Sequence, residues 1–260
     1  MDSLLFLGTG PGVPVPGRFC TSTLLRAGGS AVLLDAGEPC SQRLCQAGVP
    51  LGDLDAVLIT HGHSDHTGGL PMLLQSLWLA PRERPLPVYL PAELITPLRA
   101  WLDAVFLPPS LLGFPVEFRA WEAGRVENVV PALRVTPFST THLEGLKQKI
   151  DPSARDRFKV FGLVLETDGH RVVVSSDLGS PSDLTAALAD PCDLLVCELS
   201  HFSPAELFDF LQGKRIDRLI LTHLSGQLAG REETIVAEAR AALPEIGRIE
   251  VARDGEEVKF

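Results

Sequence analysis

Residues Leu58 to Gly69, reading Leu-Ile-Thr-His-Gly-His-Ser-Asp-His-Thr-Gly-Gly, constrain this chain more than any other stretch. The apolar run Ala56 to Ile59 reads as a short buried strand. It breaks into a loop that holds three of the chain's seven histidines and one aspartate. The following segment, Gly68 to Leu79, is apolar enough to be a helix packed on a sheet. His61, His63, Asp65 and His66 therefore sit together on one strand-to-helix loop. Neutral imidazole and carboxylate are the ligand types that suit a borderline cation such as zinc. A polar surface loop can carry a lone histidine without consequence. Four ligand-type side chains within six residues, directly after an apolar strand, point to a metal.

The chain's 260 residues fit one domain spanning residues 1–260, large enough to bury a full core without disulfides. Its 33 acidic and 23 basic residues leave a net charge of −10, which argues against a broad basic surface for nucleic acid. A metal site that supplies its own positive charge remains compatible with that balance. The five cysteines are odd in number and form no CxxC pair, which fits reduced thiols in the cytosol. Met1-Asp2-Ser3 lacks the basic start of a signal peptide, and no apolar run reaches the roughly 18 residues that span a bilayer. The expectation is a cytoplasmic protein without membrane contact.

Along the chain, Leu4 to Leu7 reads as a strand ending in the turn-rich loop Gly8 to Pro14. Those glycines lack the Lys-Ser/Thr and the helix start of a phosphate cradle, so the loop only lets the backbone pass close to something. Thr21 to Arg26 and Ala31 to Asp35 form a hairpin, and Glu38 opens a helix running to about Ala47. Asp35 is expected to bond loop amides. Pro81 to Pro85 is a polar connector, Val88 to Leu90 a strand, and Ala92 to Phe106 a helix. Leu107 to Pro115 reads as a packed apolar connector, with a substrate lid as the alternative. Val116 to Phe118, Val126 to Val130 and Leu133 to Phe138 are strands. Lys147 to Arg157, with Lys159 just beyond, is the one basic cluster, read as an exposed loop, with phosphate steering as the alternative. Val160 to Thr167 and Arg171 to Ser175 pair through the Asp168-Gly169 turn. Ser182 to Ala189 reads as a helix capped by Ser182 or Asp183, and His170 as exposed at its turn. Ser203, Pro204 and Glu206 give a complete helix-start signature. Leu219 to Leu221 is a strand and Arg231 to Leu243 an amphipathic helix. Ile249 to Ala252 and Val258 to Phe260 close the sheet. Alternating strands and helices with interspersed hairpins predict two mixed β-sheets with helices outside.

The polar residues that follow apolar strands form a series: His61, His63, Asp65 and His66, then His142, Asp177, Glu198 with His201, and His223. Six of the seven histidines fall at such places. Strand ends on one edge of a layered α/β core converge on one site. His61-Gly62-His63-Ser64-Asp65-His66, followed by His142, Asp177 and His223, resembles the ligand series of the metallo-β-lactamase superfamily. Within it, the sequence is most similar to ribonuclease Z and related phosphodiesterases. Leu7-Gly8-Thr9-Gly10, Asp35-Ala36-Gly37-Glu38 and Phe161-Gly162 support the resemblance, which runs over essentially the whole chain.

That resemblance implies a four-layer αββα sandwich with two zinc ions, manganese or iron being the alternatives. His61, His63 and His142 would hold one ion, Asp65, His66 and His223 the other, and Asp177 would bridge them. The expected reaction is phosphodiester hydrolysis through attack by a metal-bound hydroxide. Asp65 would orient or deprotonate the water, and His201, helped by Glu198, would protonate the leaving oxygen. Members that process transfer RNA carry a long Gly/Pro-rich arm between the third histidine motif and the bridging aspartate. Here His142 and Asp177 lie only 35 positions apart, with hairpin strands filling most of the interval. That argues against extended transfer-RNA docking and favours a small or nucleotide phosphodiester. The competing readings are 3′ processing of transfer RNA, hydrolysis of a thioester, lactone or lactam, and metal binding without catalysis. Members of this branch are often dimers, so the resemblance also implies a homodimer.

Overall fold

Near-continuous runs of large apolar residues build this protein, because most of its central strands are buried on both faces. The computed structural model describes residues 2–80 and 82–260. Met1 and Pro81, the first residue of the Pro81–Pro85 connector, lie outside the described residues. The strands are β1 Ser3–Gly8, β2 Ser22–Ala27, β3 Ser30–Leu34, β4 Leu54–Leu58, β5 Leu86–Leu90, β6 Val116–Ala120 and β7 Glu127–Val130. They continue as β8 Leu133–Ser139, β9 Phe161–Thr167, β10 His170–Val174, β11 Cys192–Leu199, β12 Ile216–Leu224, β13 Arg248–Val251 and β14 Glu257–Lys259. The helices are α1 Cys40–Gln46, α2 Ser64–Thr67, α3 Leu70–Leu79, α4 Ala92–Ala104, α5 Glu144–Ile150, α6 Pro204–Leu211 and α7 Glu232–Ala242.

The first seven-stranded sheet runs β14-β1-β2-β3-β4-β5-β6 and the second β13-β12-β11-β10-β9-β8-β7. Each sheet is mixed: in the first, β14 to β3 pair antiparallel and β3 to β6 parallel, and in the second, β13 to β10 pair parallel and β10 to β7 antiparallel. Successive side chains on one strand leave on opposite faces. Leu24, Leu33 and Val57 accordingly meet α1, α3 and α4, whereas their neighbours Leu25, Val32 and Leu58 meet the other sheet. In the second sheet Leu195, Cys197, Leu219 and Leu221 pack toward α6 and α7, while Leu194, Val196 and Ile220 face inward. Three apolar layers separate four structural layers, and the architecture is an αββα sandwich. Every buried CH₂ in those layers contributes about 0.8 kcal/mol.

Strand direction sets where the site forms. β3 and β4 are parallel, as are β10, β11 and β12, and β8 and β10 both run antiparallel to β9. β4, β8 and β10 end directly before segments carrying candidate ligands, His223 lies near the end of β12, and Glu198 near the end of β11.

Several local expectations change. Ile249–Val251 and Val258 do not close a common sheet, because β13 ends the second sheet while β14 crosses to pair with β1 in the first. The start of the basic cluster is helical, since α5 covers Glu144–Ile150, supported by Glu144 contacts to Lys147 and Gln148. The Ser182–Ala189 segment is a 3-10 turn over Pro181–Leu184 with Ser180 at its cap position. Its proline at the first position starts the turn earlier than the apolar period suggested. His170 belongs to β10 and is half-buried beside Phe260, rather than free at a turn. The Leu107–Pro115 segment is a packed connector, with Leu107, Leu112 and Phe114 buried against the first sheet's outer layer. No helix among the described residues is long and apolar enough to cross a membrane.

Candidate metal centre

The loop after β4 is shaped by its own backbone. Leu58 ends the strand, and one helical turn, α2, follows at Ser64. The His66 amide donates to the His63 carbonyl at 3.0 Å, and the His66 carbonyl accepts from Ala36 at 2.7 Å. A Cβ on Gly37 would stand 2.3 Å from the Asp65 carbonyl oxygen, so glycine is required for the two segments to lie this close. His61 and His66 are fully buried and Asp65 nearly so.

The other residues arrive from distant strand ends. His142 follows β8, and Asp177 follows β10. His223 lies inside β12, where the pairing with β11 skips from Thr222 to Leu224. His223 is the bulged residue, with φ of 52°, which turns its ring toward the loop. Ser176, just before Asp177, also has a left-handed φ of 52°. Such strain persists only where the surroundings enforce it.

Two sets of ligand atoms result. His61, His63, His142 and Asp177 form one, and Asp65, His66 and His223 the other, with atoms in each set within 4.8 Å of one another. Asp177 faces both. Its Oδ2 lies 3.7 Å from His61 Nε2 and 3.6 Å from His142 Nε2, while its Oδ1 lies 3.3 Å from His66 Nε2 and 3.6 Å from His223 Nε2. Asp65 Oδ2 is 3.6 Å from His66 Nε2 and 3.8 Å from His223 Nε2.

The donors fit a divalent cation. His61 Nε2, His66 Nε2 and Asp177 Oδ1 are buried without a hydrogen-bond partner. Buried polar atoms left in that condition are costly unless something else meets them. Burial opposes ionising Asp177, but the charges of His66, His223 and His61 outweigh it and hold the carboxyl well below its ordinary range. Burial likewise opposes charging His66, yet Asp177 and Asp35 raise it well above an ordinary histidine. For His61 burial prevails and keeps the ring neutral, and burial pushes His142 down to about 4.

Behind the ligands sits a row of orienting partners. His66 Nδ1 donates to Asp35 Oδ2 at 2.7 Å. Asp35 also accepts from the Thr60 amide and hydroxyl, so it does bond a loop amide as expected and holds a ring besides. His61 Nδ1 lies 3.2 Å from Thr60 Oγ1, and His223 Nδ1 2.7 Å from Thr21 Oγ1. These contacts fix which ring nitrogen faces the metal position. Thr21 and Thr60 escaped sequence reasoning. Thr60 at least follows a strand, whereas nothing in the sequence marks Thr21.

The mouth is a cavity of about 260 Å³ lined by Pro11, Gly12, Val13, His63, Asp65 and His201, among others. The Gly8–Pro14 loop therefore passes beside the site, and a Cβ on Gly12 would come within 3.4 Å of the Asp65 carboxylate. His201 Nε2 lies 4.0 Å from Asp177 Oδ2, and its Nδ1 donates to Glu198 Oε1 at 2.8 Å. Glu198 is buried and also accepts the amides of Leu178, Ser200 and His201. Burial lowers the His201 pKa, but the Glu198 bond and charge leave it above the ordinary value. Neither the Lys147–Lys159 segment nor Leu107–Pro115 lines this cavity.

A family model described as the Beta-lactamase superfamily domain matches residues 31–224, which contain every candidate ligand. The chain belongs to the metallo-β-lactamase superfamily. It falls in that superfamily's ribonuclease Z-like branch and is a metal-dependent hydrolase. Ribonuclease Z of Pseudomonas putida is 34% identical over 271 aligned positions, covering 86% of this chain and 85% of the relative. The metallo-β-lactamase fold protein YhfI of Bacillus subtilis superposes with a TM-score of 0.79 at 19% identity, covering 100% of both chains. The short form of human tRNase Z gives 0.72 at 22% identity, covering 100% of this chain and 99% of the other. Metallo-β-lactamase membership accounts for the layered fold and for a divalent-metal centre at the shared strand ends.

Proposed function

We propose that this protein is a dinuclear zinc hydrolase that cleaves a small or nucleotide phosphodiester, with manganese or iron as alternative metals. The observation that carries the reading is Asp177, which presents one oxygen to each ligand set while His201 faces the same cavity. His61, His63 and His142 would hold one ion, Asp65, His66 and His223 the other, with Asp177 between them. Two divalent ions there supply an ionised water near neutral pH and Lewis acidity toward phosphoryl oxygens. Asp65 reaches the cavity and orients the attacking water or takes its proton. His201 gives its Nε2 proton to the leaving oxygen. Glu198 acts through His201, fixing the ring with Nε2 outward.

The cavity volume suits a small substrate, near the lower end of ordinary ligand sites. Between β8 and β9 the chain holds only α5 and a short loop. The alignment with the Pseudomonas putida enzyme spans 271 positions, more than the 260 residues of this chain, yet covers 86% of it. The relative thus has inserted residues that this chain lacks. The same 34% identity favours the second reading, 3′ processing of transfer RNA. Cyclic nucleotides, bis(p-nitrophenyl) phosphate, a precursor transfer RNA, a lactam and a thioester assayed side by side decide between them. Turnover of the precursor alone replaces the small-diester reading with the second; turnover only of the lactam or thioester removes both. For His201→Ala, the expected loss is about 10²-fold or more on diesters with alkoxide leaving groups and under about tenfold on nitrophenolate. Equal losses would contradict the acid role.

A homodimer is supported by an apolar outer surface. Phe106 is 87% exposed in a left-handed conformation at the end of α4, and Trp78, Leu79 and Trp101 are also exposed on α3 and α4. The same α4 borders an apolar groove of about 220 Å³ with Leu94, Pro97 and Trp101. A stable interface buries about 800 Å² per partner. Sedimentation equilibrium at micromolar concentration is expected to show a dimer that Phe106→Glu dissociates; a monomeric wild-type protein removes this reading. Five unpaired thiols support a reducing, cytoplasmic location.

A further inference from the structure

We propose that Asp183 is a positioning residue that clasps the His142 loop to the Asp177 loop and thereby sets the affinity of one metal position selectively. This rests on the dinuclear reading above. Asp183 is no ligand in either set. Its Oδ2 accepts from the Thr141 amide at 2.9 Å, directly before His142 in the chain. The same oxygen accepts from the Gly179 amide at 2.9 Å and the Ser180 amide at 3.4 Å, just after Asp177. The Thr141 hydroxyl adds contacts of 3.1 Å to both carboxylate oxygens. One carboxylate thus gathers donors from two ligand-bearing loops separated by more than 30 residues in sequence.

Two further contacts show that the loops are built to meet. The Thr140 hydroxyl donates to the Asp177 carbonyl at 2.7 Å. A Cβ on Gly179 would lie 2.1 Å from Thr141 Oγ1, so only glycine permits this approach. Charge-assisted bonds to backbone amides are stronger than neutral ones and shape a loop directly.

The effect is selective because the other ligands have separate holds, Asp177 included, since the amide of the next residue, Leu178, donates to the buried Glu198 at 2.9 Å. His61, His63, Asp65 and His66 share a loop tied by its own backbone and by Ala36. His223 sits within β12 and its amide donates to the Thr9 carbonyl. His142 instead precedes α5, none of whose residues is buried. Of all the ligands, His142 depends most on a side-chain clasp, and it belongs to the set with His61 and His63.

A residue that merely caps the Pro181–Leu184 turn would leave metal binding unchanged. Glu206 provides the control, since it caps α6 in the same chemical manner, accepting from the Ser203 amide and hydroxyl. The experiment titrates zinc into metal-free wild type, Asp183→Ala, Asp183→Asn and Glu206→Ala, reading stoichiometry and affinity by competition with a chromophoric chelator. Melting of each metal-free protein is followed by circular dichroism. Wild type should bind two ions. Both Asp183 variants should keep one ion at wild-type affinity and bind the second about 10- to 100-fold more weakly. Glu206→Ala should bind both as wild type does. Asp183→Asn preserves the shape of the turn but removes the charge that strengthens the three amide bonds to one oxygen, so it decides the matter if Asp183→Ala does not fold. Unchanged binding of both ions, or equal weakening of both, overturns the clasp. Failure of wild type to bind two ions defeats the dinuclear reading instead.

Discussion

Asp177→Ala is expected to reduce phosphodiester hydrolysis on the order of 10⁴-fold, a loss of about 5.5 kcal/mol in transition-state stabilisation. The size follows from position. Each oxygen of Asp177 serves a different ligand set, at 3.3 to 3.7 Å from four buried or half-buried imidazoles. On the dinuclear reading, removing it would take a ligand from both sets and the negative charge between them. Asp177→Asn separates these effects. It keeps one acceptor oxygen and turns an N–H₂ toward the other set, so one tightly bound ion should remain where the alanine variant retains less than one. Steady-state rates and metal content measured on the same samples provide the check. Activity of either variant within tenfold of wild type would sink the bridging role.

Metal removal should lower the melting temperature by roughly 10 °C. A ligand that binds only the folded state stabilises it by about 4 kcal/mol at a thousandfold excess over Kd. For a chain of this size each kcal/mol shifts the midpoint by about 2–4 °C. The structural source is the set of buried atoms without partners, His61 Nε2, His66 Nε2 and Asp177 Oδ1, which a cation would satisfy. Scanning calorimetry with chelator, then with zinc restored, reads the effect. The midpoint of Asp177→Ala should respond much less to zinc. A wild-type midpoint indifferent to chelator would count against a tightly held metal.

Much of the layered fold was legible because its causes are local or periodic. The Asp168-Gly169 turn joins β9 to β10, and the Ser203–Glu206 capping box opens α6. Leu70–Leu79 forms α3 as its apolar content indicates. The misread segments have two causes, a local side-chain pairing in one and a tertiary contact in the other. The Lys147–Lys149 region looks like a charged loop, but Glu144 pairs along one face and allows a short helix. β14 looks like a continuation of β13, yet it pairs with β1.

At the centre, the sequence by itself determined the chemistry on offer: four ligand-type side chains on the loop after β4, and further His, Asp and Glu residues after later strands. Residue type and placement after an apolar run are properties of neighbouring positions, so they can be read without a structure. Only the tertiary structure decided how that chemistry is held. The bulge that turns His223, the Thr21 hydroxyl behind its ring, the placing of Asp177 against four imidazoles and the Asp183 bonds to two loops all join residues far apart in the chain. Such contacts have no period and no fixed spacing. They exist because parallel strands bring their ends to one edge, where single polar groups meet buried partners that water no longer satisfies.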